Sequence, residues 1–180
     1  MQTNIEPATG TSFPGSDLHD LKIQFNRMVD LVSHLMPGVM LTDAESKPGT
    51  TDPEKWRTEA FTFTFRGKTT SAAAQEKAFT NSTHDVAAEK EAWFVLSVQT
   101  DGTTFTITKA TDQTIGTKVL PTTPDNEIPV AYFQVITGAT GWAATDDEIT
   151  ADGAKIASYE FWDVPSVKKI GNESSEEVVA

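Results

Sequence analysis

The segment from Lys90 to Trp142 alternates apolar and polar residues between turn-forming dipeptides, which restricts it to antiparallel β-structure. Residues 93–98 are rich in aromatic and β-branched side chains, which are enriched in strands. Asp101 and Gly102 follow, and such a pair readily adopts the positive φ angles of a tight turn. Residues 103–108 then alternate threonine with apolar side chains. We therefore predict a β-hairpin here, followed by another strand at 130–136.

Further strands are predicted on both sides of this segment. Residues 56–66 place three phenylalanines on one face and threonines on the other, namely Phe61, Phe63 and Phe65 against Thr62 and Thr64. Residues 69–78 are interpreted as irregular to strand, a short strand is expected near Val86, and a last strand at 157–164. Seven or eight short strands with no helical pattern between them predict an antiparallel β-sandwich or barrel-like domain over residues 56–168.

An amphipathic helix is predicted from Ser16 to Met36. Ser16 is a suitable N-cap, and Pro37 with Gly38 ends the helix. Apolar residues recur at alternating spacings of three and four, whereas Ile23 falls on the polar side. This heptad pattern is typical of a coiled coil, and the predicted interface residues are Leu18, Leu21, Phe25, Met28, Val32 and Leu35. Packing of the same face on the chain's own sheet is the alternative.

The remaining segments have the composition of connections and termini. Residues 1–15 contain two prolines and two glycines and are predicted to form an extended arm. Residues 38–55 are predicted to be a linker, because residues 42–54 are rich in Pro, Gly, Asp and Ser. Residues 169–180 are predicted to be a solvated acidic tail. The chain would thus consist of an arm, a helix at 16–37, a linker, a β-rich domain and a tail.

The acidic composition excludes several classes of partner. The 180-residue chain has a formal net charge of -12 and a pI near 4.5. Binding to nucleic acid phosphates or to anionic lipid surfaces requires Lys and Arg clusters, so neither partner is expected. The absence of cysteine excludes disulfides and thiolate metal sites. No apolar run approaches the roughly 18 residues that cross a membrane.

The sequence contains no recognisable catalytic or metal-binding motif. We predict no catalytic residues, no cofactor and no metal, and hence a protein that is not an enzyme. His84, beside Asp85, is predicted to be a solvated loop residue. Residues 146–148 with Asp152 could supply oxygen ligands to Ca²⁺ but lack the alternating loop pattern of known sites, so an exposed acidic loop is preferred. Trp142, after a glycine-rich turn, is a candidate interface residue.

The order of segments across residues 61–165 resembles a β-rich domain of structural proteins in tailed-phage virions. The resemblance rests on Phe61–Lys68, Val119–Pro121, Glu127–Tyr132, Thr137–Gly138 and Ser158–Pro165, taken in this order. It implies a virion component assembled in the host bacterial cytoplasm, and it supplies no catalytic residues. A parallel trimer held by the helix is the oligomer that it favours.

Within that class, a trimeric capsid decoration (cement) or head-fibre protein is the preferred function. Its partners would be the major capsid protein or other virion proteins. A tail or baseplate component and a carbohydrate-binding host-attachment module are the alternatives. The aromatic and threonine-rich faces are compatible with the last of these, which a glycan array with a Trp142→Ala control would test.

Overall fold

A computed structural model describes residues 21–25, 27–28, 38–80 and 82–166. The predicted arm at 1–15 and tail at 169–180 lie outside these ranges. Residues 21–25 and 27–28 are helical, within the predicted helix. The chain divides into two units, and the larger, Ser33–Lys168, contains all of the strands described below.

The described residues of the larger unit form ten strands. Their bounds are β1 Gly38–Met40, β2 Lys47–Pro48, β3 Trp56–Thr58, β4 Phe61–Phe65, β5 Lys68–Ala72, β6 Gln75–Lys77, β7 Glu91–Gln99, β8 Phe105–Lys109, β9 Glu127–Thr137 and β10 Ile156–Asp163. Every pairing between them is antiparallel. The prediction of a mainly β protein with antiparallel sheets is confirmed, whereas its arrangement as a sandwich or barrel stays a prediction.

The strands form three sheets, and the four-stranded one has the order β10-β9-β7-β8. The other two have the orders β1-β4-β5 and β2-β3-β6. The β7–β8 hairpin turns at the predicted Asp101-Gly102 pair, where Gly102 has a φ of 73°. The Asp101 carboxylate accepts hydrogen bonds from the backbone N–H groups of Thr104 and Thr103. These bonds hold the pKa of Asp101 far below its usual range and fix the turn.

An aromatic cluster fills the centre of the larger unit. Its hub is Phe133 of β9, whose ring stacks on Phe161 at 4.5 Å between centroids and contacts Trp56 edge-on at 5.6 Å. The cluster extends to Phe79, Phe94 and Trp142. Aromatic side chains supply a large buried apolar area for few residues, which explains how short strands enclose a continuous core.

The prediction that residues 38–55 form a linker is wrong for the two parts that form strands. Residues Gly38–Met40 pair with β4, and Lys47–Pro48 pair with β3. The side chains of Met40 and Ala44 are buried in the core. Loop-forming residues dominate the composition of this segment, but the apolar pair Val39-Met40 finds a strand partner far along the chain, and that contact decides its structure.

Candidate functional site

The four-stranded sheet buries side chains on both of its faces along β7. Phe94, Leu96 and Val98 belong to the aromatic core. Trp93 and Val95 alternate with them and therefore point to the opposite face, here called the outer face, yet both are also buried. A strand buried on both sides needs a second covering layer, which residues 111–126 provide in part. We call these residues the strap.

A groove of about 430 Å³ lies on the outer face beside the strap. Its aromatic elements are the indoles of Trp93 and Trp162, which stack with centroids 4.9 Å apart and planes inclined by 17°. Tyr132 of β9 lies directly opposite Trp162 of β10 in the strand register. The groove is lined by Trp93, Lys118, Leu120, Pro129, Tyr132, Trp162, Asp163, Val164 and Pro165.

Glu91 anchors the strap to the sheet. Its backbone exchanges two hydrogen bonds with Gln113, and its buried carboxylate accepts a 2.7 Å bond from the Gly116 N–H. Trp93 Nε1 and Gln134 Nε2 donate to the same carboxylate at 2.6 and 2.7 Å. Burial alone would raise the pKa of Glu91, but these hydrogen bonds outweigh it and lower the pKa below the usual value. The carboxylate is therefore ionised at neutral pH.

A cation flanks the aromatic surface of the groove. Lys118 of the strap places its ammonium 4.7 Å from the ring centroid of Trp93, a cation–π distance. Asp163 alternates with Trp162 and lies opposite the buried Ala131, so its carboxylate points to the core face, where it accepts the Ser46 N–H at 3.1 and 3.3 Å. The groove thus combines aromatic rings with a donor-only cation, and a polar group beside an apolar pocket is typical of ligand sites.

The predicted helix interface is described only in part. Leu21, Phe25 and Met28 lie in the helical residues, and their exposed fractions are 50%, 37% and 54%. Leu18, Val32 and Leu35 lie outside the described residues. The helical residues therefore present apolar side chains to solvent in the single chain, at the spacing that the heptad pattern requires.

Trp142 is not at a surface, so the expectation that its side chain forms an interface is wrong. Only 1% of it is exposed, and its ring contacts Phe79 and Phe94 edge-on. Its Nε1 donates to the Asp147 carbonyl at 3.1 Å, and its backbone pairs with Val86. The glycine turn before it brings the indole back into the core, a long-range effect that the local composition does not reveal.

His84 is buried rather than solvated, which corrects the sequence interpretation. Its ring packs edge-on against Phe79 and Phe94 at 5.7 and 5.9 Å. Its Nδ1 accepts the Thr80 N–H at 2.8 Å. Burial lowers the pKa of His84, partly opposed by a hydrogen bond to the Ile107 backbone. A neutral imidazole with both of these bonds acts as a core residue.

The acidic segment near 146–152 uses its carboxylates within the fold. Asp147 forms an ion pair with Lys155 and accepts the Ala143 N–H at 2.9 Å. Asp152 Oδ1 accepts the backbone N–H groups of Ala154, Lys155 and Ile156 at 3.0, 2.8 and 3.2 Å. Within the described ranges, no three His, Cys, Asp or Glu side chains are grouped so that they could hold a metal ion.

Comparisons with known proteins add no relative: no family model matches the chain, and neither a curated protein nor a solved structure matches it significantly. In the part of the chain that the structure describes, no helix has the length and apolar character needed to cross a membrane.

Proposed function

We propose that the chain is a structural protein of a tailed-phage virion, specifically a homotrimer that decorates the capsid or forms a head fibre. The resemblance of its segment order to β-rich virion domains supports the class. The exposed apolar face of the helix supports the assembly and is the observation that carries this proposal. The partners would be further copies of the chain and the major capsid protein.

Exposed large apolar side chains occur in two places among the described residues. One group lies on the helical residues, and the other lies on the strap as Ile115, Val119 and Leu120. Leu21, Phe25 and Met28 follow spacings of four and three, so they share one helix face. Exposed apolar clusters of this kind mark interaction sites, and heptad spacing suits association with identical helices.

The proposal assigns no catalytic role to the chain. Among the described residues, Glu91 and His84 are the buried ones with an acid–base side chain, and both have partners within the fold. Glu91 is held by three donors, and His84 is packed among phenylalanines. These contacts stabilise the fold, which suits a rigid virion component.

Phe25→Asp is expected to convert the trimer into a monomer with an intact β-unit. A carboxylate at the centre of an apolar helix interface would be desolvated without a partner, which costs several kcal/mol in each protomer. Ile23→Asp is the matched control, since Ile23 is also exposed but lies off the heptad face. The mass in solution, measured by light scattering over a concentration series, separates the variants. A monomeric wild type, or a trimeric Phe25→Asp variant, would contradict helix-driven assembly.

Copy number in purified virions tests the virion assignment and distinguishes its forms. For a decoration protein, we expect a ratio to the major capsid protein that matches the capsid lattice, measured by quantitative peptide counting. A few copies per particle would instead favour the tail or baseplate alternative. Complete absence from virions of the phage that encodes the chain would refute the structural assignment.

A further inference from the structure

We propose that the outer-face groove is a binding site for a neutral saccharide, with one pyranose ring seated on the partly exposed ring of Trp162 beside Tyr132. This site does not depend on the virion assignment, and it replaces Trp142 as the aromatic residue around which sugar binding should be tested. The shape of the groove, the charge of Lys118 at its side and its rigidity support this site.

The aromatic lining of the groove suits the apolar face of a sugar ring. The face of an indole carries negative charge density from its π-electrons, and the axial C–H groups of a pyranose are weakly positive. Trp162 and Tyr132 are each partly exposed and lie side by side on neighbouring strands. The volume of about 430 Å³ lies within the range of small-ligand pockets, so the groove is large enough for one or two rings.

The charges around the groove favour a neutral ligand with many hydroxyl groups. A purely apolar ligand would cover the Lys118 ammonium without replacing its hydrogen bonds to water, which is unfavourable. An anionic ligand would be repelled by the net charge of -12, and a cationic one would face Lys118. A hydroxyl both donates and accepts, so a polyol can accept from Lys118 while its other hydroxyls remain hydrated.

The groove is pre-formed, because its components are fixed from beneath. Trp93 is only 5% exposed and is tied to Glu91 through its Nε1. Glu91 also holds the strap at Gly116, and thereby the segment that carries Lys118 and Leu120. A site with a fixed lining loses little conformational entropy when a ligand binds.

Tryptophan fluorescence titrations of the full-length chain test the proposal, because both indoles line the site. The probes are the methyl β-glycosides of glucose, galactose and N-acetylglucosamine, followed by cellobiose, lactose and chitobiose. An array of bacterial surface polysaccharides extends the search to longer chains. We expect saturable binding of at least one neutral saccharide, and we expect Trp162→Ala to weaken it at least tenfold.

A second pair of variants keeps the test decisive if Trp162→Ala fails to fold. Lys118→Ala is expected to weaken binding of the same saccharide severalfold, because the Lys118 ammonium donates to the ligand in the wild type. Lys68→Ala is the matched control, since Lys68 is an exposed lysine on β5 of another sheet, and it should bind like the wild type. Circular dichroism establishes that each variant is folded.

Three results would overturn the saccharide site. The first is the absence of binding to every probe and every array polysaccharide. The second is binding that Trp162→Ala and Lys118→Ala leave unchanged. The third is a fall in oligomeric mass in the folded Trp162→Ala variant, with no change in saccharide affinity. That last result would show that a second copy of the chain covers the groove, with the exposed Val119 and Leu120 as part of the contact.

Discussion

Replacing Phe133 with alanine is expected to lower the free energy of unfolding by about 3–5 kcal/mol, the range measured for removal of a buried phenylalanine side chain. Phe133 is fully buried on β9, which pairs with both β7 and β10. Its ring has six aromatic neighbours, namely Trp56, Phe79, Phe94, Trp142, Tyr159 and Phe161. The cavity would open where these rings meet, and rings held by different strands and loops cannot all move inward to fill it.

Urea unfolding followed by tryptophan fluorescence and by circular dichroism measures this loss. Phe133→Leu is the matched control, because it keeps most of the apolar volume and should lose clearly less stability. A domain of this size is stable by only about 5–15 kcal/mol, so Phe133→Ala should be marginal at 37 °C. An alanine variant as stable as the leucine variant would show that the cluster collapses around the vacancy and that Phe133 is not its hub.

Local chemistry was sufficient to predict several elements of the fold. The alternation of Phe61, Phe63 and Phe65 with threonine defines β4 because side chains on a strand alternate with period two. The turn at Asp101-Gly102 follows from its two residues, one accepting local N–H groups and the other adopting a positive φ. Residues 69–78, interpreted as irregular to strand, contain most of β5 and all of β6. For the β4–β5 hairpin and the turn, the deciding contacts lie within about ten residues, whereas β6 pairs with the more distant β3.

Elements decided by distant contacts were not predictable from local patterns. Val39 pairs with Thr64, and Trp142 pairs with Val86, so the composition of each segment was a poor guide to its burial. His84 is a further example, because the residues next to it in the sequence are polar although its side chain lies inside the aromatic cluster. Such residues become buried through partners that only the folded topology brings together.

The groove was missed for a related reason, although one signal of it is present in the sequence. An antiparallel strand with one solvated face normally alternates apolar and polar residues, but residues 92–96 of β7 are apolar throughout. That run indicates a strand covered on both faces. The register of β9 and β10 determines what covers the outer face and brings Trp162 onto Trp93 there. No local sequence pattern determines that register.

Glu91→Ala is expected to lower the free energy of unfolding by about 3 kcal/mol at neutral pH, because it leaves one buried and two partly buried hydrogen bonds without their acceptor. The affected donors are Trp93 Nε1, Gln134 Nε2 and the Gly116 N–H. Glu91→Gln turns an NH₂ group toward these donors, but it keeps the shape of the side chain and one acceptor oxygen. It should therefore lower the free energy of unfolding less than Glu91→Ala does. Glu160→Gln on β10 of the same sheet is the matched control, since Glu160 is exposed and should change stability little.

The difference in stability between wild type and Glu91→Gln should depend on pH in one direction. Because the folded pKa of Glu91 lies below its value of about 4.5 in the unfolded chain, the ionised carboxylate stabilises the fold fully above that pH. This contribution is lost as the pH falls through the folded pKa, where the native carboxylate takes up a proton. Urea unfolding at pH 7 and near pH 3 should therefore show a smaller gap between the two proteins at the lower pH. The charge should matter because only the ionised carboxylate can accept from three donors without presenting a hydrogen of its own. A stability difference that stays constant with pH would mean that Glu91 holds the strap by its shape alone.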